Sequence, residues 1–159
     1  MIIEEMEIKK IASNLSILKS YININTKLNL NDICIISEDF FCGLLNIIYG
    51  YKLINANVLE KNFKSIDLLD EDNKLVYQVT ANDTPDKIRK TITSFISKFD
   101  SSYKLKFIIL ADKKVFRANF DIPNGYEFDK KNDIYFIEDF VDIIKINNKI
   151  SEVVSFINE

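Results

Sequence analysis

An α/β fold, a mixed β-sheet flanked by helices, is what this chain predicts, and three observations carry the prediction. Apolar residues recur at helical spacing early in the chain and again after Pro85. Two short alternating runs flank the acidic stretch 70–73, DEDN, as the strands of a hairpin do. The run 104–110, KLKFIIL, passes from alternation into continuous apolarity, the pattern of a strand at the middle of a sheet.

Each element can be justified in turn. Residues 2–20 place Ile3, Met6, Ile11, Leu15 and Leu18 near helical spacing, with acids early and lysines late, matching a helix dipole. Residues 21–36 read as an Asn-rich connection. Ser37 reads as an N-cap with Glu38 and Asp39 in the first turn, and the apolar set from Phe40 to Tyr49 runs to a stop at Gly50. Residues 64–69 and 74–80 form the hairpin. With its turn centred between Glu71 and Asp72, Ile66 faces Tyr77, Leu68 faces Leu75 and Asp67 pairs with Val76. Asp67, Val76, Gln78 and Thr80 then share one face, with Gln78 diagonal to Asp67.

Asp83, Thr84 and Pro85 start a helix with the stripe Ile88, Ile92, Phe95, Ile96 and Phe99. Residues 112–133 are polar and irregular, with a short hairpin expected near Val115 and Phe116. A strand at 134–137 follows, then a helix at 140–146 and a last helix capped by Ser151. The 159 residues suffice for one domain, 1–159, with its own core.

Composition excludes some chemistries. There is no histidine, which removes imidazole acid–base catalysis, Ser-His triads and most zinc sites. Catalysis would have to run on carboxylates, amides, hydroxyls and lysine, a donor set suited to hard, oxygen-bound ions such as magnesium. The two cysteines, Cys34 and Cys42, lie in apolar surroundings and read as buried small hydrophobes in a reducing cytoplasm. No apolar run reaches the roughly 18 residues of a membrane span, so a cytoplasmic protein without a membrane partner is expected. The net charge of −3 argues against a general nucleic-acid coat but not against an acidic, metal-loaded cleft. Lysines and arginines gather locally at 87–98 and at 104–117, where solvated helix and strand ends would also place them.

The order α-β-β-α-β around a hairpin with acids on one face resembles the restriction-endonuclease-like core of the PD-(D/E)xK nucleases. That resemblance implies a metal held between an acid of the preceding helix, an aspartate of the first hairpin strand and a (D/E)-x-K on the second. By position these are Glu38, Asp67 and Gln78-Val79-Thr80. Gln78 stands where an acid is usual and offers a neutral carbonyl oxygen; Thr80 stands where lysine is usual. Lys87, one turn into the next helix, is the candidate replacement cation. Each residue has a plainer explanation. Glu38 could serve only the helix dipole, Gln78 could bond across the sheet, and Lys87 could be a surface lysine. Asp67 is the hardest to dismiss, because an unpaired carboxylate among apolar neighbours is costly.

Residues 37–96 also carry E-x-F-F followed by L-L-N, an Asn-rich segment, I-D-L-L-D, Q-V-T and K-I-x-x-T-I. This combination resembles the SMEK domain of bacterial proteins, with Leu69 where the family has the glycine of I-D-L-G-D. The resemblance implies a nuclease-like α/β domain that acts as effector of an antiphage defence system. The expectation is a nuclease dependent on Mg2+ or Mn2+, with Glu38, Asp67 and Gln78 as ligands and Lys87 orienting water. DNA is the expected substrate, although the residues leave DNA and RNA open. The alternative is a catalytically inactive module that binds nucleic acid or protein. Self-association and a companion sensor or ATPase are the further partners that such a module allows.

Overall fold

The computed structural model describes residues 2–28, 32–58 and 66–159. In chain order the elements are α1 (Ile2–Lys27), α2 (Asp32–Tyr49), β1 (Ile54–Asn55), β2 (Leu68–Asp70), β3 (Leu75–Thr80), α3 (Pro85–Lys98), β4 (Lys104–Ile109), β5 (Ile134–Phe136), α4 (Phe140–Ile146) and α5 (Ile150–Ile157). Short 3-10 turns follow β1 and β5. The strands form one mixed sheet in the order β1-β2-β3-β4-β5, antiparallel from β1 to β3 and parallel from β3 to β5. Four of its residues at the centre, Phe107 to Leu110, are buried, as the continuous apolar run requires.

Side-chain alternation divides the core in two. Leu68, Leu75, Tyr77, Val79, Ile108 and Leu110 pack with α1, α2, α4 and α5 on one face. Leu69, Val76, Leu105, Phe107 and Ile109 pack on the other, against Ile88, Ile92 and Phe95 of α3. The expected α/β class with helices on both faces is therefore the observed one. No helix among the described residues is long and apolar enough to cross a membrane.

The helix boundaries depart from the local signals, and always for tertiary reasons. Helix α1 continues through the Asn-rich stretch to Lys27, because Ile22 is fully buried and Asn25 turns its amide back onto the Tyr21 carbonyl at 2.7 Å. Ile3 and Met6, expected in the core, are exposed. Ser37 is not a cap: α2 starts five residues earlier, and Ser37 is completely buried inside it. Gly50 does stop α2, in the left-handed region at φ 70°. Thr84 caps α3 as expected, accepting from the Lys87 amide, with Pro85 in the first turn. Ser151 lies within α5, which begins at Ile150. The segment 112–133 holds no strand at Val115–Phe116; it packs Phe116, Phe120 and Phe128 onto the α3 face instead. Both cysteines are free and half-buried rather than buried.

The hairpin register is the correction that matters most for function. Leu68 sits opposite Tyr77 and Asp70 opposite Leu75, two residues from the expected pairing. The loop still has four residues, Glu71–Lys74, but it is centred one position later. Asp70 causes this. Its carboxylate accepts from the Asn73 amide at 2.9 Å, the Asn73 side chain at 2.7 Å and the Lys52 amide at 2.7 Å. Lys74 closes the loop at φ 55°. The chain bends at Asp67, so Ile66 leaves the Leu68 face and packs with Leu69 and Val76.

Candidate functional site

The shifted register, with Leu68 opposite Tyr77, and the bend at Asp67 bring the Asp67 side chain against Gln78. Gln78 Nε2 donates to Asp67 Oδ2 at 2.7 Å, and the Val79 amide donates to the same oxygen at 2.7 Å. The Asp67 amide donates to the Tyr77 carbonyl at 3.0 Å, and the Ala56 amide donates to the Asp67 carbonyl at 2.8 Å. One aspartate therefore pins the bend to β3 and to the turn after β1.

Helix α2 brings Glu38 to the same point. Glu38 is buried, and its carboxyl shares a hydrogen bond with Asp67 and another with the Asn55 side chain. Burial first, and then the charge of Asp67, push Glu38 from its ordinary value of 4.5 up to about 8. Burial likewise raises Asp67, against the lowering effect of the Val79 amide, the Glu38 bond and the charge of Lys87. Two carboxylates crowded in a poorly solvated spot hold one proton between them.

Gln78 is 5% exposed, and its Oε1 has no hydrogen-bond partner among the described residues. Reversing the amide would set that oxygen against the Asp67 carboxylate, so the carboxylate dictates the orientation. A buried carbonyl oxygen without a donor is uncommon and costs about 1–3 kcal/mol. The Gln78 amide is bonded to Asp67, so a neutral amide oxygen and two carboxyl groups belong to the same stretch of structure. Oxygen donors of this kind are those a hard cation takes. The charge is low for one, because among the described residues no three Cys, Asp or Glu side chains converge.

The structure therefore brings together three of the four expected residues, Glu38, Asp67 and Gln78. The fourth, Lys87, stands in the first turn of α3 and reaches Asp67 through its charge rather than as a contact ion pair. Thr80 ends β3, with its hydroxyl accepting from the Asn82 amide at 3.1 Å, which is a turn-building role. Asp70, a further acid considered beside the hairpin, is fully buried and spent on the turn. Asn46, Asn55, Asn57 and Asn62 are expected from the sequence to cap and brace the segment from helix to hairpin, with no chemistry assigned, and Asn55 turns out to touch the site. It lies on β1, a two-residue strand too short to announce itself, and only the fold shows that it touches Glu38. Asn46, expected to brace this segment, does so through two bonds to Leu53, at 2.8 and 3.1 Å. Asn62 lies outside the described residues.

Two expected outcomes follow from this geometry. Raised folded values mean that the native state holds a proton that the unfolded chain releases. The contribution of Glu38 is therefore complete below about pH 4.5 and is lost as pH climbs toward 8. Without divalent ions, stability should fall by about 5 kcal/mol over that window, and Glu38→Gln should flatten the slope in thermal melts. A variant slope equal to the wild-type slope would put the proton elsewhere. Gln78→Glu should crowd a third carboxylate into the site and lower stability by about 1–3 kcal/mol without metal. In magnesium the order should reverse, with a larger melting-temperature gain in the variant than in the wild type. Equal melts with and without magnesium in both proteins would argue against a cation site.

No curated protein and no solved structure matches this chain. The family model described as the SMEK domain matches residues 10–145, which contain all four candidate residues. This chain belongs to the SMEK domain family.

Proposed function

We propose that this protein is a metal-dependent nuclease with a restriction-endonuclease-like core, acting on DNA as the effector of a bacterial antiphage defence system. The observation that carries the reading is that Glu38 of α2 and Gln78 of β3 both bond to the buried carboxyl group of Asp67. The element order supports it: a helix bearing an acid, an antiparallel hairpin, a helix, and a strand parallel to the second hairpin strand. The defence role rests on the family membership alone.

In this reading Glu38, Asp67 and the Gln78 carbonyl hold Mg2+ or Mn2+. When bound, the ion supplies Lewis-acid polarisation of a phosphodiester and a water of lowered pKa. Glu38 and Asp67 give up their common proton when they take up the cation, so binding strengthens as pH rises. Val79 and Asn55 keep the two carboxylates aimed, because a backbone amide and a side-chain amide hold them in place. Lys87 lies close enough to bias charge at the site and is the group available to orient the attacking water. The water oxygen would bond to phosphorus and give up a proton as the bond to the leaving sugar oxygen breaks, and that oxygen would take up a proton in turn.

Incubation of supercoiled plasmid with the purified protein in magnesium, manganese or EDTA tests the proposal. Nicking that requires the metal and is lost with Glu38→Gln supports it; no cleavage by folded protein at any concentration refutes the stand-alone enzyme. One observation favours a second reading, an inactive module that binds nucleic acid or protein. The second hairpin strand carries Gln78 and Thr80 where the nuclease pattern has an acid and a lysine, and Thr80 serves the turn. That module would bind without cutting.

A further inference from the structure

A cavity of about 650 Å³ lies along the edge strand β5, away from Glu38, Asp67, Gln78 and Lys87, none of which lines it. Its walls carry five lysines, Lys106, Lys113, Lys114, Lys130 and Lys131, against two aspartates, Asp139 and Asp142. In a chain of net charge −3, lysines outnumber acids among the lining residues, and Lys130 and Lys131 form no ion pair among the described residues. The volume lies in the range of about 300–1,000 Å³ typical of ligand sites.

The placement of the charges says what kind of anion fits. Lys130 and Lys131 precede β5, Lys106 lies within β4 beside it, and Lys113 and Lys114 follow the far end of β4. The positive charge therefore forms a line along the sheet edge. A single phosphate needs one cluster, whereas a phosphodiester chain needs a row. The row is held in place. Lys106 pairs with Asp133 at 3.0 Å, Lys113 pairs with Asp139, and Lys130 donates to the Ala118 carbonyl at 3.0 Å. Lys114 pairs at 3.4 Å with Asp83, in the loop that leads from β3 into α3 and Lys87. One end of the row is thus tied to the end of the sheet where Gln78 and Asp67 meet. From β5 to β2 is three strand spacings, about 14 Å. That is about four base steps of a duplex, at about 3.4 Å per step.

We infer that the lysine-lined cavity at β5 is the track for the phosphodiester backbone of nucleic acid, feeding a strand toward the carboxylate site. The inference rests on the nuclease reading for its direction, but not for binding itself. Lysines beside an exposed edge strand can also serve only to deter pairing with other strands, and the experiment separates the two. Anisotropy of a short fluorescein-labelled DNA duplex is followed in EDTA over a series of salt concentrations. The proteins compared are the wild type, the triple variant Lys113→Gln/Lys114→Gln/Lys131→Gln, and a control triple of exposed α1 lysines, Lys9→Gln/Lys10→Gln/Lys27→Gln.

The cavity triple should bind at least ~10-fold more weakly, and its log–log salt slope should drop by about 2 to 3, close to 0.9 per lost contact. The control should change little. Lys131→Glu alone, at an exposed position, should move affinity the same way and guards against misfolding of the triple. Equal binding by wild type and cavity triple, or equal loss in both triples, would overturn the inference. Plasmid cleavage is scored separately. Lysine-dependent binding by a protein that never cuts supports the track and sinks the nuclease; cutting that is indifferent to these lysines does the reverse.

Discussion

Asp67→Asn should leave a folded protein whose plasmid cleavage in magnesium has fallen by roughly 100-fold or more. The substitution is nearly isosteric. An asparagine carbonyl in the place of Oδ2 can still accept from the Val79 amide and from Gln78 Nε2, so the bend stays pinned to β3. What disappears is one of the two carboxylates that meet at the site among the described residues. Asp67→Ala should behave differently. It strips the acceptor from two donors at once, leaves the buried Gln78 amide unsatisfied, and should cost about 2–4 kcal/mol of stability in denaturant titrations. Loss of activity in the alanine variant alone therefore proves little. Full activity in the asparagine variant would remove Asp67 from the chemistry and turn its carboxylate into a structural brace.

The second large effect is expected at a residue with no chemical role. Asp70→Ala should destabilise the protein by about 3–5 kcal/mol, or lower its melting temperature by about 10 °C. Asp70 is completely buried and accepts hydrogen bonds from the Asn73 side chain and from the Asn73, Lys52 and Asp72 backbone amides. Burial alone would raise its pKa. The bonds from Asn73, Lys52 and Asp72 outweigh burial and hold it below the ordinary 3.8. A lowered folded value gives stability that is complete above about pH 3.8 and is lost as pH falls through the folded value. This is the opposite sign to Glu38. Asp70→Asn should fall between, since its amide nitrogen would face the Asn73 N–H, donor against donor. If Asp70→Ala melted like the wild type, the turn would not be the source of the hairpin register.

These two aspartates, three positions apart, show where sequence reading succeeds and stops. Period-2 alternation marked the strands 75–80 and 104–109, because a half-buried or fully buried strand must write its faces into the residue order. Thr84-Pro85 marked the start of α3 for an equally local reason: capping and proline geometry act over one turn. Glu38, Asp67 and Gln78 were legible as polar residues in apolar surroundings, since burying them without a partner is costly wherever the chain runs. Composition, by excluding histidine, bounded the chemistry to oxygen donors before any geometry was known.

Register was not legible to the same degree. Parity, meaning which residues share a face, follows from alternation. A slip of two preserves parity, so the pattern is equally satisfied by Leu68 opposite Leu75 or opposite Tyr77. The choice was made by the Asp70 carboxylate, which reaches Lys52 eighteen residues back. Helix ends behaved in the same way. Asn-rich 21–27 and Ser37 both look like breaks, yet burial of Ile22 and Ser37 against other elements carries the helices through them. Glu38 meets Asp67 and Asn55 only because α2, β1 and the hairpin converge, and its proton affinity comes from that convergence. The sequence alone determined the α/β class, the faces of β3 and β4 and the chemical types at the site, but not the face of Ile66. Tertiary structure alone decided the register, the helix ends and the contact between two carboxylates, because those depend on burial and partners far away in the chain.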